Sequence, residues 1–495
     1  MAVDPSCRAG EGLEEALSQH DETLTSAELR RRLNHPVIDT DGHSIEIGPL
    51  LDDYVREVGG ADFARRLAAT PRRQTRRTWW VPTANTVDRA TAMLPRMMAE
   101  RLDAFGIDYS ILYPTIGIGS PYIADAEVRR VMCRAANRYY ADMYGGFEDR
   151  LTHAAVIPME TPEEAIEELD YAVGVLGHKV VMMEGYGRRN MRDIAEPSGE
   201  FMVGRPDVFA LESDYDYDPV WAKCVELKVA PTFHQPSMGF GFRMSNVYMY
   251  NHIGHFAAAA EALSKALFFG GVTQRFPELR FGFLECGVGW ACGLYGDLVD
   301  RWKKRGAHVI DRLDPANIDR EAFLDYVSKY GSERILAKMT EIRSIVFEES
   351  APNQRDDFAL AGISSPEDVR ERFVDKFFFG CEADDGLNAL AFDRKINPLG
   401  ARLGAMFGSD ISHWDVADAT EPVREAYELV EDEFLGEEDF RDFMFGNAAR
   451  LHGSLNPDFF RNSRIEQEVD VLGISGLHSE NCVAPESVSA GGTVK

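Results

Sequence analysis

The sequence predicts an α/β protein built on a closed (β/α)8 barrel of the TIM type. Two observations carry that prediction. Apolar runs of strand length recur eight times, and stretches with helical periodicity separate them. Strands that are apolar throughout, alternating with amphipathic helices, indicate a parallel sheet covered on both faces, and a count of eight closes it into a barrel. The competing architecture, a doubly wound open sheet, would carry a glycine-rich phosphate turn after its first strand. Residues 39–43 carry carboxylates and an imidazole there instead.

The runs are VIDTD (37–41), IDYSILYP (107–114), THAAVIP (152–158), KVVMME (179–184), VAPTFH (229–234), LRFGFLE (279–285), KFFFG (376–380) and GAMFGSD (404–410). Among the helices, AEVRRVMCRAANRYYADMYG has a clear apolar stripe and TPEEAIEELDYAVGVLG opens on a Thr cap. AAAAEALSKALFFGGVTQRFP is ended by Gly and Pro. Two connections are too long for plain βα units, so residues 44–100 and 303–375 read as insertions, the second a small helical cap. The organisation expected is an N-terminal extension (1–36), a barrel (37–455) and a C-terminal tail (456–495) rich in Ser, Gly and Val without amphipathic period.

Composition narrows function by exclusion. With 53 Lys and Arg against 82 Asp and Glu, the formal charge is −29, which disfavours a nucleic-acid partner held through its phosphates. The chain has no apolar run long enough for a membrane span, and its acidic start lacks the basic and apolar stretches of a signal peptide, so a cytoplasmic protein is expected. Seven cysteines without CxxC spacing fit reduced thiols.

The polar residues fall where barrel chemistry is done. Strand one ends in Asp39, Asp41 and His43, strand five in His234, strand six in Glu285 and strand eight in Asp410. The C-terminal strand ends of a barrel converge on one mouth, so these groups face one another although they are far apart in the chain. One such Asp is ordinarily a turn residue, and one such His a hydrogen-bonded core residue; their joint placement argues for a metal. Alternation puts Asp41 and His43 on one face as ligands, with Asp39 deeper as support. Two imidazoles and two carboxylates favour a single divalent ion, zinc first, with manganese and iron as alternatives.

VIDTDGHSIE, GGVTQRFPELRFGFLECGVGW, FGSDISHWD and FRDFMFGNAARLHG together resemble the amidohydrolase superfamily, in the branch of the aminocarboxymuconate-semialdehyde decarboxylases, the amidohydrolase-2 family. The resemblance implies a barrel with one divalent metal, an HxH pair on strand one, a His on strand five and an Asp on strand eight. Residue by residue, Asp41 stands at the first His of HxH, His43 at the second, His234 at strand five and Asp410 at strand eight. The family's decarboxylases end strand six in His, where this chain has Glu285. A carboxylate there can act as a base and repels a substrate carboxylate, so Glu285 tilts the expected reaction toward hydrolysis.

The expected chemistry is a metal-activated water attacking an acyl bond of a small organic substrate, with Asp410 or Glu285 as base. His255 is the first choice of oxyanion donor and His252 the second. Tyr113, His413 and Trp414 are expected as substrate-binding wall residues, although for Tyr113 a packing role is favoured, as for strand-end aromatics in general. The Arg-rich segment PRRQTRRTWW reads first as a solvated loop salt-bridged to an acidic surface, and second as a contact for an anionic handle, and with it an acyl-coenzyme A thioester. Nonoxidative decarboxylation of an aromatic or unsaturated acid is the competing reaction, and a metal-free binding protein with a degenerate site the competing class. The resemblance also allows a homodimer.

Overall fold

The computed structural model describes residues 24–69, 85–190, 204–234, 247–314, 317–345 and 356–474. Its strands in chain order are β1 (Ile38–Ser44), β2 (Tyr109–Pro114), β3 (Leu151–His153), β4 (Ala155–Ile157), β5 (Val181–Met183), β6 (Gly187–Asn190), β7 (Gly204–Asp207), β8 (Pro231–Phe233), β9 (Phe281–Phe283), β10 (Phe377–Cys381) and β11 (Gly404–Phe407). Except for the antiparallel β6–β7 hairpin, every ladder is parallel.

The parallel strands run in two arcs, β1-β2-β3 and β11-β10-β9-β8-β5-β4. One extended segment joins them. Its first half, β3, pairs with β2, and its second half, β4, pairs with β5; Ala154 between them donates to Leu112 O at 2.9 Å. At the other seam, Asp410 N donates to Asp41 O at 2.9 Å and His43 N to Ile411 O at 3.1 Å, while Thr40 Oγ1 donates to Phe407 O at 2.7 Å. All eight expected strands are present in a (β/α)8 arrangement, most of them shortened, while β1 runs on to Ser44 and the third expected strand is divided into β3 and β4.

The core lies where the apolar runs predicted it. Phe233, Phe281, Phe283, Phe377 and Phe379 pack as neighbouring rings in one large buried cluster. Local signals set the helix ends. Thr161 caps the helix Pro162–Leu169 by accepting from Glu164 N, and Asp125 caps Ala126–Tyr144 by accepting from Val128 N. At the end of the segment after His255–Phe269, Gly271 takes a φ of +71° that disfavours a side chain.

Three features differ from expectation. The β6–β7 hairpin lacks the apolar alternation that marks a strand; buried Arg189 holds it, pairing with Asp207 at 2.9 Å and donating to Tyr217 Oη at 2.8 Å. Residues 456–474 do not trail away, since Phe459, Phe460 and Ile465 are buried against Tyr109 and its surroundings. The insertion after the helix Gly289–Arg305 forms the helices Arg320–Tyr330, Glu333–Leu336 and Met339–Ile345. No described residue in them is buried, so they are not packed down as a cap. No helix among the described residues is long and apolar enough to cross a membrane.

Candidate metal centre

The site is built where β1 meets β11. The β1–β2 register shifts between Asp39 and Gly42, a bulge that re-aims the residues on either side of it. Asp39 sits beneath and ties the strands together. Its Oδ1 accepts from Ser409 N at 2.9 Å and from Asp41 N at 3.2 Å, and its Oδ2 accepts from Ser110 Oγ at 2.8 Å. Gly42 and Gly408 leave room for this. A Cβ on Gly42 would lie 2.6 Å from Asp39 Oδ2, and one on Gly408 would lie 2.9 Å from Asp41 Cβ. Both strand-end carboxylates sit in the left-handed region, Glu285 at φ +50° and Asp410 at φ +46°, strain of the kind concentrated at functional sites.

Four sequence-predicted ligands come together. His43 Nε2 lies 3.0 Å from His234 Nε2, 3.2 Å from Asp410 Oδ1 and 3.5 Å from Asp41 Oδ1. His234 Nε2 lies 3.3 Å from Asp41 Oδ1 and 3.4 Å from Glu285 Oε2. Asp41, His43, His234 and Asp410 are all buried, and Asp41 Oδ1 and Asp410 Oδ2 have no hydrogen-bond partner. Orphaned carboxylate oxygens beside two imidazole nitrogens that face each other fit a divalent cation. Glu285 and His413 also fall within ligand reach, in a group with His43 and Asp410.

The electrostatics agree with that fit. Burial alone would depress the His43 imidazole, yet the Asp41 and Asp410 carboxylates outweigh it and push its pKa up to about 10. Burial works against the charge of Asp41 too, but His234 and His43 hold it below the usual carboxylate range. Burial, then the charges of Asp410 and Asp41, push Glu285 well above that range.

The remaining predicted residues divide. His413 reaches Asp410 Oδ1 through Nδ1 at 2.6 Å and stacks on His43 at 3.7 Å between ring centroids, so it supports the cluster more than it forms a wall. Trp414 and His252 do line the mouth, in a cavity of about 370 Å³ that also exposes Glu285, Glu382, Asp385 and Asp415. His255 does not line it; its Nδ1 faces His252 O and its ring lies against Phe256. Tyr113 is buried below the site, its Oη 2.9 Å from Thr232 Oγ1, and packs as its bland reading expected. The acidic wall was not anticipated, although EADDG after β10 and the Asp of SHWD both sit at strand ends. Burial, then Asp410, raises Asp415 to about 9 and Glu382 to about 7.

An eight-stranded barrel with imidazoles and carboxylates gathered at its strand ends belongs to the class of metal-dependent barrel enzymes. A family model described as amidohydrolase matches residues 38–336. The chain belongs to this family, the amidohydrolase-2 branch of the superfamily.

Solved structures are similar in fold. An amidohydrolase from Mycobacterium avium subsp. paratuberculosis K-10 is 20% identical, with 85% of this chain and 100% of that one covered and a TM-score of 0.53. A dihydroxybenzoic acid decarboxylase from Polaromonas sp. JS666, with bound manganese, is 16% identical over 84% of this chain and 97% of its own, with a TM-score of 0.48. A 5-carboxyvanillate decarboxylase from Novosphingobium aromaticivorans DSM 12444 is 15% identical over 85% and 96%, with a TM-score of 0.45. At such identities the likeness is one of architecture, and activity has to be argued from the site.

Proposed function

We propose that this chain is a metal-dependent hydrolase that cleaves an ester or amide bond of a small organic molecule without negative charge. The observation that carries the reading is the cavity wall. Glu285, Glu382, Asp385 and Asp415 line it, and no Lys or Arg does so among the described residues. A substrate carboxylate finds only carboxyls there, repelling it where ionised and offering it no cation where protonated, whereas a neutral acyl compound needs no such clamp.

Asp41, His43, His234 and Asp410 would hold the ion. When bound, a divalent ion supplies Lewis acidity and lowers the pKa of a coordinated water. Glu285 faces both the ligand cluster and the cavity, which suits it to accept a proton at Oε2. His413 positions Asp410 from behind. His252, on the cavity wall, replaces His255 as donor to a developing oxyanion, and Trp414 and Phe256 supply apolar walls that exclude water. The donor set suits zinc, manganese and iron alike.

The coenzyme A version of this reading loses its support. Its Arg-rich segment, residues 71–80, lies outside the described residues, and the described cavity lining offers a polyphosphate no Lys or Arg. Nonoxidative decarboxylation draws support from His252, the one lining side chain among the described residues able to carry positive charge and clamp a carboxylate. A panel assay separates the two. Metal-reconstituted protein is offered neutral aryl esters and amides, and in parallel hydroxybenzoates with CO2 detection. Metal-dependent release of acid from a neutral substrate is expected; CO2 release with no hydrolysis would overturn the assignment.

A further inference from the structure

The cavity beside the metal centre is lined by two unlike sets of side chains. One set is acidic: Glu285 after β9, Glu382 and Asp385 after β10, and Asp415 beyond Asp410. None of the four pairs with a Lys or Arg among the described residues. A divalent ion does not change that, because the carboxylates of Asp41 and Asp410 already balance its two charges. Glu285 shows the deficit independently. Its side chain is only 5% exposed, its one ion-pair distance among the described residues is 3.4 Å, to His234 Nε2, and it accepts no hydrogen bond among them. A carboxyl so enclosed and open toward a cavity calls for a positive or donating group from that side.

The other set says what kind of cation. Met249, Ile253, Phe256 and Trp414 give the same cavity apolar and aromatic surface, with Met249 45% and Ile253 71% exposed. A hydrated metal ion has no use for such surface. An organic ammonium lays its carbon skeleton on it and sets its charge against carboxylates or over an aromatic face. The volume, about 370 Å³, is that of a site for a small molecule.

We infer that the substrate is an amphipathic cation, an ester or amide carrying an ammonium group that Glu382, Asp385 and Asp415 hold, on an aryl or alkyl body that rests against Trp414 and Phe256. The inference deepens the hydrolase reading and rests on it for the reaction, though not for the binding. Glu285, closest to the ligand cluster, is left to the reacting bond.

Isothermal titration calorimetry of the metal-reconstituted, full-length chain compares phenethylammonium with phenethyl alcohol, a neutral probe of the same shape. The titrations are run at about pH 8, where Glu382 has lost its proton and an alkyl ammonium keeps its own. Wild type should bind the ammonium roughly 10- to 100-fold more tightly than the alcohol, and a Glu382→Gln/Asp385→Asn variant should bring the two within about threefold. Asp415→Asn, on a separate loop, should shrink the preference in the same direction, which keeps the test open if the double variant does not fold. Equal binding of both probes by wild type would overturn the inference. So would a preference that the variants keep in full, the mark of plain attraction to an acidic surface. Phenyl esters ending in an ammonium or a hydroxyl group separate this from the hydrolase reading. If neither is cleaved while the ammonium preference holds, that reading fails and the cation site stands; if both are cleaved at equal kcat/KM and both probes bind alike, the reading stands and the inference falls.

Discussion

At the scale of single residues, the strongest consequences attach to groups that hold other groups in place. Asp39 accepts from two backbone N–H groups, of Ser409 and Asp41, and from the Ser110 and Ser409 hydroxyls. Asp39→Asn would turn an amide NH2 toward at least one of them, loosening both Asp41 and the chain before Asp410. Metal affinity should fall about 10- to 100-fold, read by chelator competition. Glu285→Gln keeps shape and removes the base. Bound metal should remain near wild type while turnover of the hydrolytic substrate drops roughly 100- to 10,000-fold. The ligand cluster was legible in the sequence because a barrel converts strand-end position into proximity, so Asp41, His43, His234, Glu285 and Asp410 could be placed together from four separated motifs. His413 was legible only as a neighbour of Asp410. Its stacking on His43 depends on the left-handed turn at Asp410 and Ser412, which sequence periodicity does not encode. His255 was misplaced for a related reason: His252 ends the helix Tyr248–His252 and His255 opens His255–Phe269, and the turn at Gly254 between them decides which imidazole faces the cavity.

Among the elements, the β1–β11 seam is the sensitive joint. It is closed by a few hydrogen bonds where the other neighbours have ladders, and it carries three of the four ligands. Gly408→Ala would press a methyl group against Asp41 Cβ, 2.9 Å away in the present backbone. The expected cost is about 1–3 kcal/mol in urea unfolding, accompanied by loss of bound metal, because the clash falls on a ligand-bearing strand. Strands of continuous apolar residues were easy to find; the β6–β7 hairpin was not, because GRRN and GRPD offer neither alternation nor β-branched residues and are held by the ionic node at Arg189. The helical insertion at 303–375 could be located but not oriented. Nothing in its spacing distinguishes a helix that packs on its own barrel from one that packs on another chain.

For the whole molecule, the excess of acid has a local meaning as well as a general one. Some of it is crowded at the barrel mouth and near it, where burial is the main cause that raises Asp415 to about 9 and Glu382 and Glu425 to about 7. Carboxyls with raised folded pKa values favour the folded chain at low pH, and that contribution is lost as pH climbs through those values. Burial acts in the opposite sense on His153 and His452, depressing both to about 3, so stability is lost below about pH 6.5 as the unfolded chain takes up protons that the fold refuses. Metal-free protein should therefore be most stable in a window around pH 5–7 and weaken steadily toward pH 9, as urea titrations at each pH would show. A saturating divalent ion should raise the melting temperature more at pH 8 than at pH 5, since the ion replaces the protons that alkali removes. The measurement closest to the centre of the account is elemental analysis of the purified chain after chelation and reloading, beside a His43→Ala/Asp410→Ala variant. One divalent ion per chain in wild type and none in the variant is the predicted result; no stoichiometric ion in wild type, or an ion retained by the variant, would contradict it.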